Sequence, residues 1–568
     1  MIFNLIHRPC GHFECYDFQR ECAHSLNLKA TVMIPTKQLT NEKVIALSKE
    51  DHEKYNDELG IWIEPMADMP NTQVWLLNTQ DKERCVKYSI DKFFEIFGFY
   101  PKCVGNYVLD AQIMKMITDY CPTITTVVAG CFEEGVKVFH GCNNSWYLFS
   151  EGMSWNAWYP SKTHSVRPAK NKEDWAGVVA VPHLSRDMVL GYEGRNDFFA
   201  SHPANIQRGL ANEGYTHCYD FNLVDQFRLQ EDYNDGFSYY QMHVGPGWFD
   251  NNFNIIDSND ITRTLYKETL EYLKELRDNG NVTDMHLSEF GEYYKKNVPL
   301  EKDNIGVGKD ILFGSGKHYF WILNPDYRAL VDTFQGGSIG DLRPYIAEYE
   351  TFTGVDSDNL LINSYPYIIQ SQYRSGYKNH HEDGSRTTLL AEHNGEVLDM
   401  CCYPTKIENV ERFSDKSVLT LTPVTMTFKD GLEIKIQTIY SFLKDGKIEI
   451  TRKLLSAAEV NLTEYVKACY GFIEYPENMK GITFLTDGDV AADYAYNSKA
   501  YNAKHSVSAI IPQINTEISL EDANKKAEMA EIVDGHLFSP FFTMKLKYNI
   551  SKNDKEVTSC LILKKTKA

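Results

Sequence analysis

Carboxylates and imidazoles recur just after short apolar runs in the first half of the chain. The run 2–6 leads into His7-Arg8-Pro9-Cys10-Gly11-His12, and 59–63 into Glu64-Pro65. The run 104–109 leads into Asp110, 178–181 into His183-Leu184-Ser185-Arg186-Asp187, and 239–242 into His243-Val244-Gly245-Pro246-Gly247-Trp248. Two chemistries use these residue types. Glycoside hydrolysis needs two carboxylates across the scissile bond, about 5–5.5 Å apart when one is the nucleophile and about 6.5–9.5 Å apart when water attacks. Asp110 with Glu64 or Asp187 supplies such a pair. Metal-assisted hydrolysis needs two or three imidazole or carboxylate ligands and an open position. His7, Asp110 and His243 supply that set, for a divalent ion such as zinc. Arg8, His12, Trp62, His183, Arg186, Trp155, Trp158 and Trp248 are the candidates for holding a substrate.

These residues converge only if the runs are parallel strands. Up to about residue 297, apolar runs alternate with amphipathic stretches: strands at 2–6, 30–34, 59–63, 104–109, 125–129, 178–181 and 239–243, and helices at 13–25, 41–54 (capped by Thr40), 82–97, 111–120 and 261–278. This βα order predicts a parallel sheet, most simply closed into a (β/α)7 or (β/α)8 barrel whose active site lies at the carboxyl ends of the strands. From about 301 to 568 the pattern changes to repeated strands. Asp430-Gly431 and Asp445-Gly446 separate runs of alternating polarity, which predicts hairpins in a mostly antiparallel β-sandwich. The expected domains are 1–300 and 301–568.

Composition narrows the partners. The 568 residues carry 78 acidic against 58 basic side chains, a formal charge of -20, which disfavours nucleic acid and acidic membrane surfaces. No stretch reaches the roughly 20 apolar residues that span a bilayer. The opening residues include His, Arg and Glu where a signal peptide needs an unbroken apolar segment, so a cytoplasmic protein is expected. Thirteen irregularly spaced cysteines fit reduced thiols. Aromatic residues make up 13% of the chain, and seven of the eight tryptophans fall at or before Trp248. Such flat faces suit sugar stacking as well as core packing. The insertion 131–177, with Trp146, Trp155, Trp158 and Trp175, is either a substrate-covering loop or a segment packed on the rim or a subunit interface. A homo-oligomer is compatible with the second. Each candidate also has a structural role open to it: His7, His12 and His243 can satisfy main-chain groups, Arg186 and Asp187 can pair, and Asp110 can cap the helix it precedes.

The segment Val104-Gly105-Asn106-Tyr107-Val108-Leu109-Asp110, followed by a helix and a strand, resembles the strand-four motif G-W-x-I-D of the α-mannosidase family of glycoside hydrolases. That resemblance implies a nucleophile and zinc ligand at Asp110. One residue is inserted after the glycine, and Pro9 stands where the family's H-x-D pair has its acid. The order of Lys29-Ala30-Thr31-Val32-Met33-Ile34-Pro35 and Gly60-Ile61-Trp62-Ile63-Glu64 resembles polysaccharide deacetylases, without their metal histidines or aspartate pair. His7-Arg8-Pro9 and Glu64-Pro65 are similar to the H-Q-P and E-P motifs of α-glucan-acting barrels. Together these resemblances imply a carbohydrate-active hydrolase, a glycosidase acting on an oligosaccharide or glycoside. The alternatives are a deacetylase-like metallohydrolase on an amino sugar and a catalytically silent carbohydrate-binding protein.

Overall fold

Continuous apolar runs bounded by polar residues form strands buried on both faces, as a parallel sheet requires. The computed structural model describes residues 1–9, 13–130, 154–189, 213–214, 217–245, 249, 259–311, 314–349, 356, 365–371, 384–468, 479–536 and 541–566. Contacts divide it into two units, Met1–Lys302 with Glu350–Tyr365, and Asp303–Tyr349 with Pro366–Ala568.

In the first unit, seven parallel strands are β1 (Ile2–His7), β2 (Ala30–Pro35), β3 (Glu58–Trp62), β4 (Cys103–Gly105), β5 (Thr126–Gly130), β6 (Val179–Pro182) and β7 (Tyr239–His243). They pair in the order β6-β5-β4-β3-β2-β1-β7, and the two-residue β8 (Thr283–Asp284) pairs with the start of β1. The helices are α1 (Phe13–Ser25), α2 (Glu42–Tyr55), α3 (Thr79–Phe97), α4 (Ala111–Tyr120), α5 (Tyr219–Arg228), α6 (Asn259–Asp278) and α7 (Leu287–Asn297). Asn41, rather than Thr40, caps α2 by accepting from the Val44 amide, because its longer side chain reaches back to the first turn.

The ladder does not close into a barrel among the described strands. The outer edge of β6 is occupied instead: Trp158 and Ala180 exchange main-chain hydrogen bonds of 3.0 and 2.9 Å in an antiparallel bridge. The gap to β7 is spanned by Gln241. Its Nε2 donates to the Pro182 and His183 carbonyls at 2.6 and 2.9 Å, and its own carbonyl accepts from the Ser185 amide at 3.0 Å. The result is a curled parallel sheet with one seam held at a single residue, Gln241, by its side chain and its main chain. Inside the curl, Ile6, Met33, Trp62, Cys103, Val128, Val181 and Tyr239 pack with Leu287, Phe290 and Tyr294 of α7. Gly291 allows that helix to lie against the start of β5, since a Cβ there would fall 1.9 Å from Thr126 Oγ1. Helix α7 thus covers the amino ends of the strands.

One acid is buried away from the strand ends. Asp220 of α5 accepts from Thr269 Oγ1 of α6 at 3.3 Å, and burial pushes its pKa up to about 7. A carboxyl raised in the folded state contributes stability at low pH and loses it as pH climbs from the ordinary carboxylate range through about 7. Asp220→Asn should therefore stabilise the protein by a few kcal/mol at pH 8 and change little at pH 5, in urea denaturation at both values. Equal effects at the two pH values would refute this.

The second unit contains antiparallel sheets of five, six and ten strands. The hairpin expected at Asp445-Gly446 joins Glu433–Leu443 to Lys447–Leu454, with Asp445 and Gly446 at φ 63° and 73°, the left-handed region that tight turns need. Burial alternates along Glu433–Leu443, as for a strand with one face covered. No described helix is long and apolar enough to cross a membrane.

Candidate functional site

Strand ends assemble one cluster from five places in the sequence. Trp62 closes β3, and its ring fits inside the curl because the neighbouring β4 carries Gly105; a Cβ there would lie 2.8 Å from the ring. Thr36, just past β2, fixes the turn beyond Trp62 by donating from Oγ1 to the Trp62 carbonyl at 3.2 Å and accepting from the Glu64 amide at 3.0 Å. Arg8 lies over both Trp62 and Tyr107, at 4.8 and 4.9 Å from the ring centroids. Tyr107 meets His183 at 4.8 Å between centroids, and His183 meets His243 at 4.4 Å. Trp62 borders both imidazoles, at 5.8 and 5.4 Å.

Burial governs the charges here. It pushes His183 and His7 down to about 3 and His243 well below its ordinary value, with Arg8 adding to the shift at His183 and His243. All three imidazoles are neutral at pH 7. His7 Nε2 shares a hydrogen bond of 2.8 Å with Tyr266 Oη. The ring nitrogens of His183 have no hydrogen-bond partner among the described residues, and for those of His243 the one such influence is the His183 main chain, which opposes the downward shift. Two neutral imidazoles present two donors and two acceptors at one place. Glu64 is half-buried; desolvation raises its pKa, opposed by the nearby Arg8 and Lys37.

The other expected carboxylates are engaged. Asp110 is buried: one oxygen accepts from the Ile113 amide at 2.8 Å as the cap of α4, and the other meets Lys82 Nζ of α3 at 3.0 Å. Asp187 accepts from the Val189 amide at 2.8 Å and from Tyr219 Oη at 3.0 Å. Arg186 is buried beside it in sequence. The expected metal set of His7, Asp110 and His243 does not bring three ligand atoms within 4.8 Å of one another; among the described residues only His24, Asp51 and Asp57 do so. The capping and ion-paired geometry of Asp110 accounts for this. The described part of the insertion is tied to the sheet edge: Trp155 and Trp158 are buried, and Trp158 Nε1 donates to the Ser165 carbonyl at 2.9 Å. Trp62 is likewise buried beneath Arg8, so its face is already covered. His12 and Trp248 lie outside the described residues.

Sequence reasoning passed over Tyr107. Reading 104–109 as strand placed it inside an element, whereas β4 stops at Gly105. Asn106 ends it, donating to the Ile63 carbonyl and accepting from the Val108 amide, so the chain turns and Tyr107 reaches the cluster. The signal was the asparagine directly after the glycine.

No family model matches the chain. No curated protein matches it either. Among solved structures, it is similar to a 4-alpha-glucanotransferase from Thermococcus litoralis, at 10% identity over 100% of this chain and 99% of that one, with a TM-score of 0.30. A galactose mutarotase-like protein from Clostridium acetobutylicum aligns at 10% identity with 46% of this chain and 98% of its own, also with a TM-score of 0.30. Likenesses this distant assign neither family nor activity, and the chemistry rests on the cluster itself.

Proposed function

We propose that the first unit is a carbohydrate-active enzyme that binds an oligosaccharide or glycoside at the carboxyl ends of its strands and hydrolyses a glycosidic bond. The observation that carries this is the pair of buried, neutral imidazoles of His183 and His243, with ring nitrogens free to meet a ligand, beside Tyr107, Arg8 and a half-buried carboxyl, Glu64. Each sugar hydroxyl both donates and accepts, which is the complement such imidazoles require. Glu64, biased toward its protonated form by burial, would protonate the leaving oxygen. Asp187, held as an acceptor by the Val189 amide and the Tyr219 hydroxyl, would be the second carboxylate. No step is routed through zinc, because the donor atoms of His7, Asp110 and His243 are not gathered. The deacetylase-like alternative finds no donor cluster at this end among the described residues.

A second reading, a carbohydrate-binding protein without turnover, is favoured by the full engagement of both Asp110 and Asp187. A panel of aryl glycosides and oligosaccharides separates the two. The enzyme reading expects hydrolysis that falls about 10²–10⁴-fold in Glu64→Gln, with sugar binding retained. Binding without turnover, abolished by His183→Ala with His243→Ala, would establish the second reading. Neither binding nor turnover would sink both.

A further inference from the structure

At the opposite end of the sheet, α1, α2 and the chain entering β3 meet at three ligand-type side chains. His24 Nε2 lies 2.9 Å from Asp57 Oδ2 and 4.0 Å from Asp51 Oδ1. The ring of His24 is held by stacking on Tyr55, with centroids 3.6 Å apart and planes at 7°. Asp57 is 1% exposed, and its Oδ1 has no hydrogen-bond partner. Because the other oxygen of that carboxylate already faces His24, Oδ1 belongs to the same cluster. A buried, unmatched carboxylate oxygen is what a bound ion or water would satisfy.

We propose that His24, Asp51 and Asp57 form a site for a divalent transition-metal ion of the zinc class, tying α1 and α2 to the entry of β3. The three ligand atoms lie within 4.8 Å of one another, a spread that small side-chain rotations bring to the bond lengths of about 2.0–2.2 Å that zinc makes to nitrogen and oxygen. Charge points the same way. The connected network holds four carboxylates, Asp17, Glu50, Asp51 and Asp57, against two permanent cations, Arg20 and Lys54, with the His24 imidazole between two of the acids. Arg20 Nε reaches both oxygens of Asp51, at 2.7 and 2.9 Å, and the Tyr16 hydroxyl donates to Oδ2 at 3.2 Å, so an ion at Oδ1 would share that oxygen with the guanidinium that orients it. Asp57 precedes the first residue of β3, at the amino end of that strand, whereas His183 and His243 follow or close theirs; with three protein ligands, the fourth position on the ion would fall to water.

The test uses the full chain, stripped with chelator and then given zinc or cobalt(II) alone. We expect about one equivalent of zinc retained through gel filtration, a rise in melting temperature on loading, and loss of both in Asp57→Asn and His24→Gln. The cobalt form should absorb in the visible without the near-ultraviolet thiolate band that capture by one of the thirteen cysteines would give. Equal retention by wild type and the variants, no retention, or a thiolate band would overturn the site. Should Asp57→Asn fail to fold, the wild-type cobalt spectrum decides in the same terms. Hydrolysis of glycosides is not read in this experiment, so its outcome is independent of the proposed activity.

Discussion

Replacing Lys82 with methionine should destabilise the protein by about 3–5 kcal/mol, the usual consequence of removing one partner from a buried ion pair. Lys82 and Asp110 are both fully buried, and Lys82 also meets Gln112 Oε1 at 3.1 Å. Without the ammonium, the Ile113 amide still caps Asp110, but the buried carboxylate loses the opposite charge that faces it. Asp110→Asn preserves that cap while removing the carboxylate that faces Lys82, and the double variant should recover much of either loss. Urea denaturation of the four proteins gives the coupling energy directly. The functional consequence is specific. If the ion pair and the cap are what Asp110 does, its asparagine variant loses stability and keeps turnover per folded molecule. A variant of undiminished stability with no turnover would return Asp110 to the role of nucleophile.

The second large effect is expected on the acid side. Groups whose folded pKa is depressed contribute stability that is complete above the unfolded value and lost as pH falls through it. For His7 and His183 that window opens near 6.5 and runs down to about 3. Between pH 7 and pH 5 each should withdraw about 2 kcal/mol, and His243, shifted in the same direction, adds to the slope. Against a total stability of order 5–15 kcal/mol, the protein should approach unfolding before its carboxylates titrate. Asp220 acts in the opposite sense over the same range, so Asp220→Asn is the background in which the slope is clearest. His183→Gln in that background should remove about one proton from the linkage. A profile flat from pH 7 to pH 5 would mean that the imidazoles are not buried in the neutral form.

Much of the β/α order was legible because buried parallel strands write continuous apolar runs: β7 occupies the residues expected of it, 239–243, and α1 those expected at 13–25. What was not legible depends on contacts between distant residues. Asp110 stands at once at a strand exit and at a helix start, and one carboxylate satisfies both patterns. The discriminating residue, Lys82, is 28 positions earlier on an amphipathic helix, where a lysine ordinarily faces water. The open seam was hidden for a related reason. Trp158 comes from an insertion, and no period in the sequence says that it will take the edge of β6 that a closing strand would use. The two imidazoles stand sixty residues apart in the sequence, and their closeness follows from how far the sheet curls, which local patterns do not encode.

That seam has an evolutionary reading. His183 follows β6 and His243 ends β7, so the two rings stand on opposite banks of a junction that no ladder of paired strands closes, held at Gln241 by its side chain and by its main-chain bonds to Ser185. Elsewhere in the sheet, altering the distance between neighbouring strands means rebuilding a register of backbone bonds. Here two residues carry the described bonds of the crossing, and a lineage has fewer positions to change in widening or narrowing its grip on a ligand.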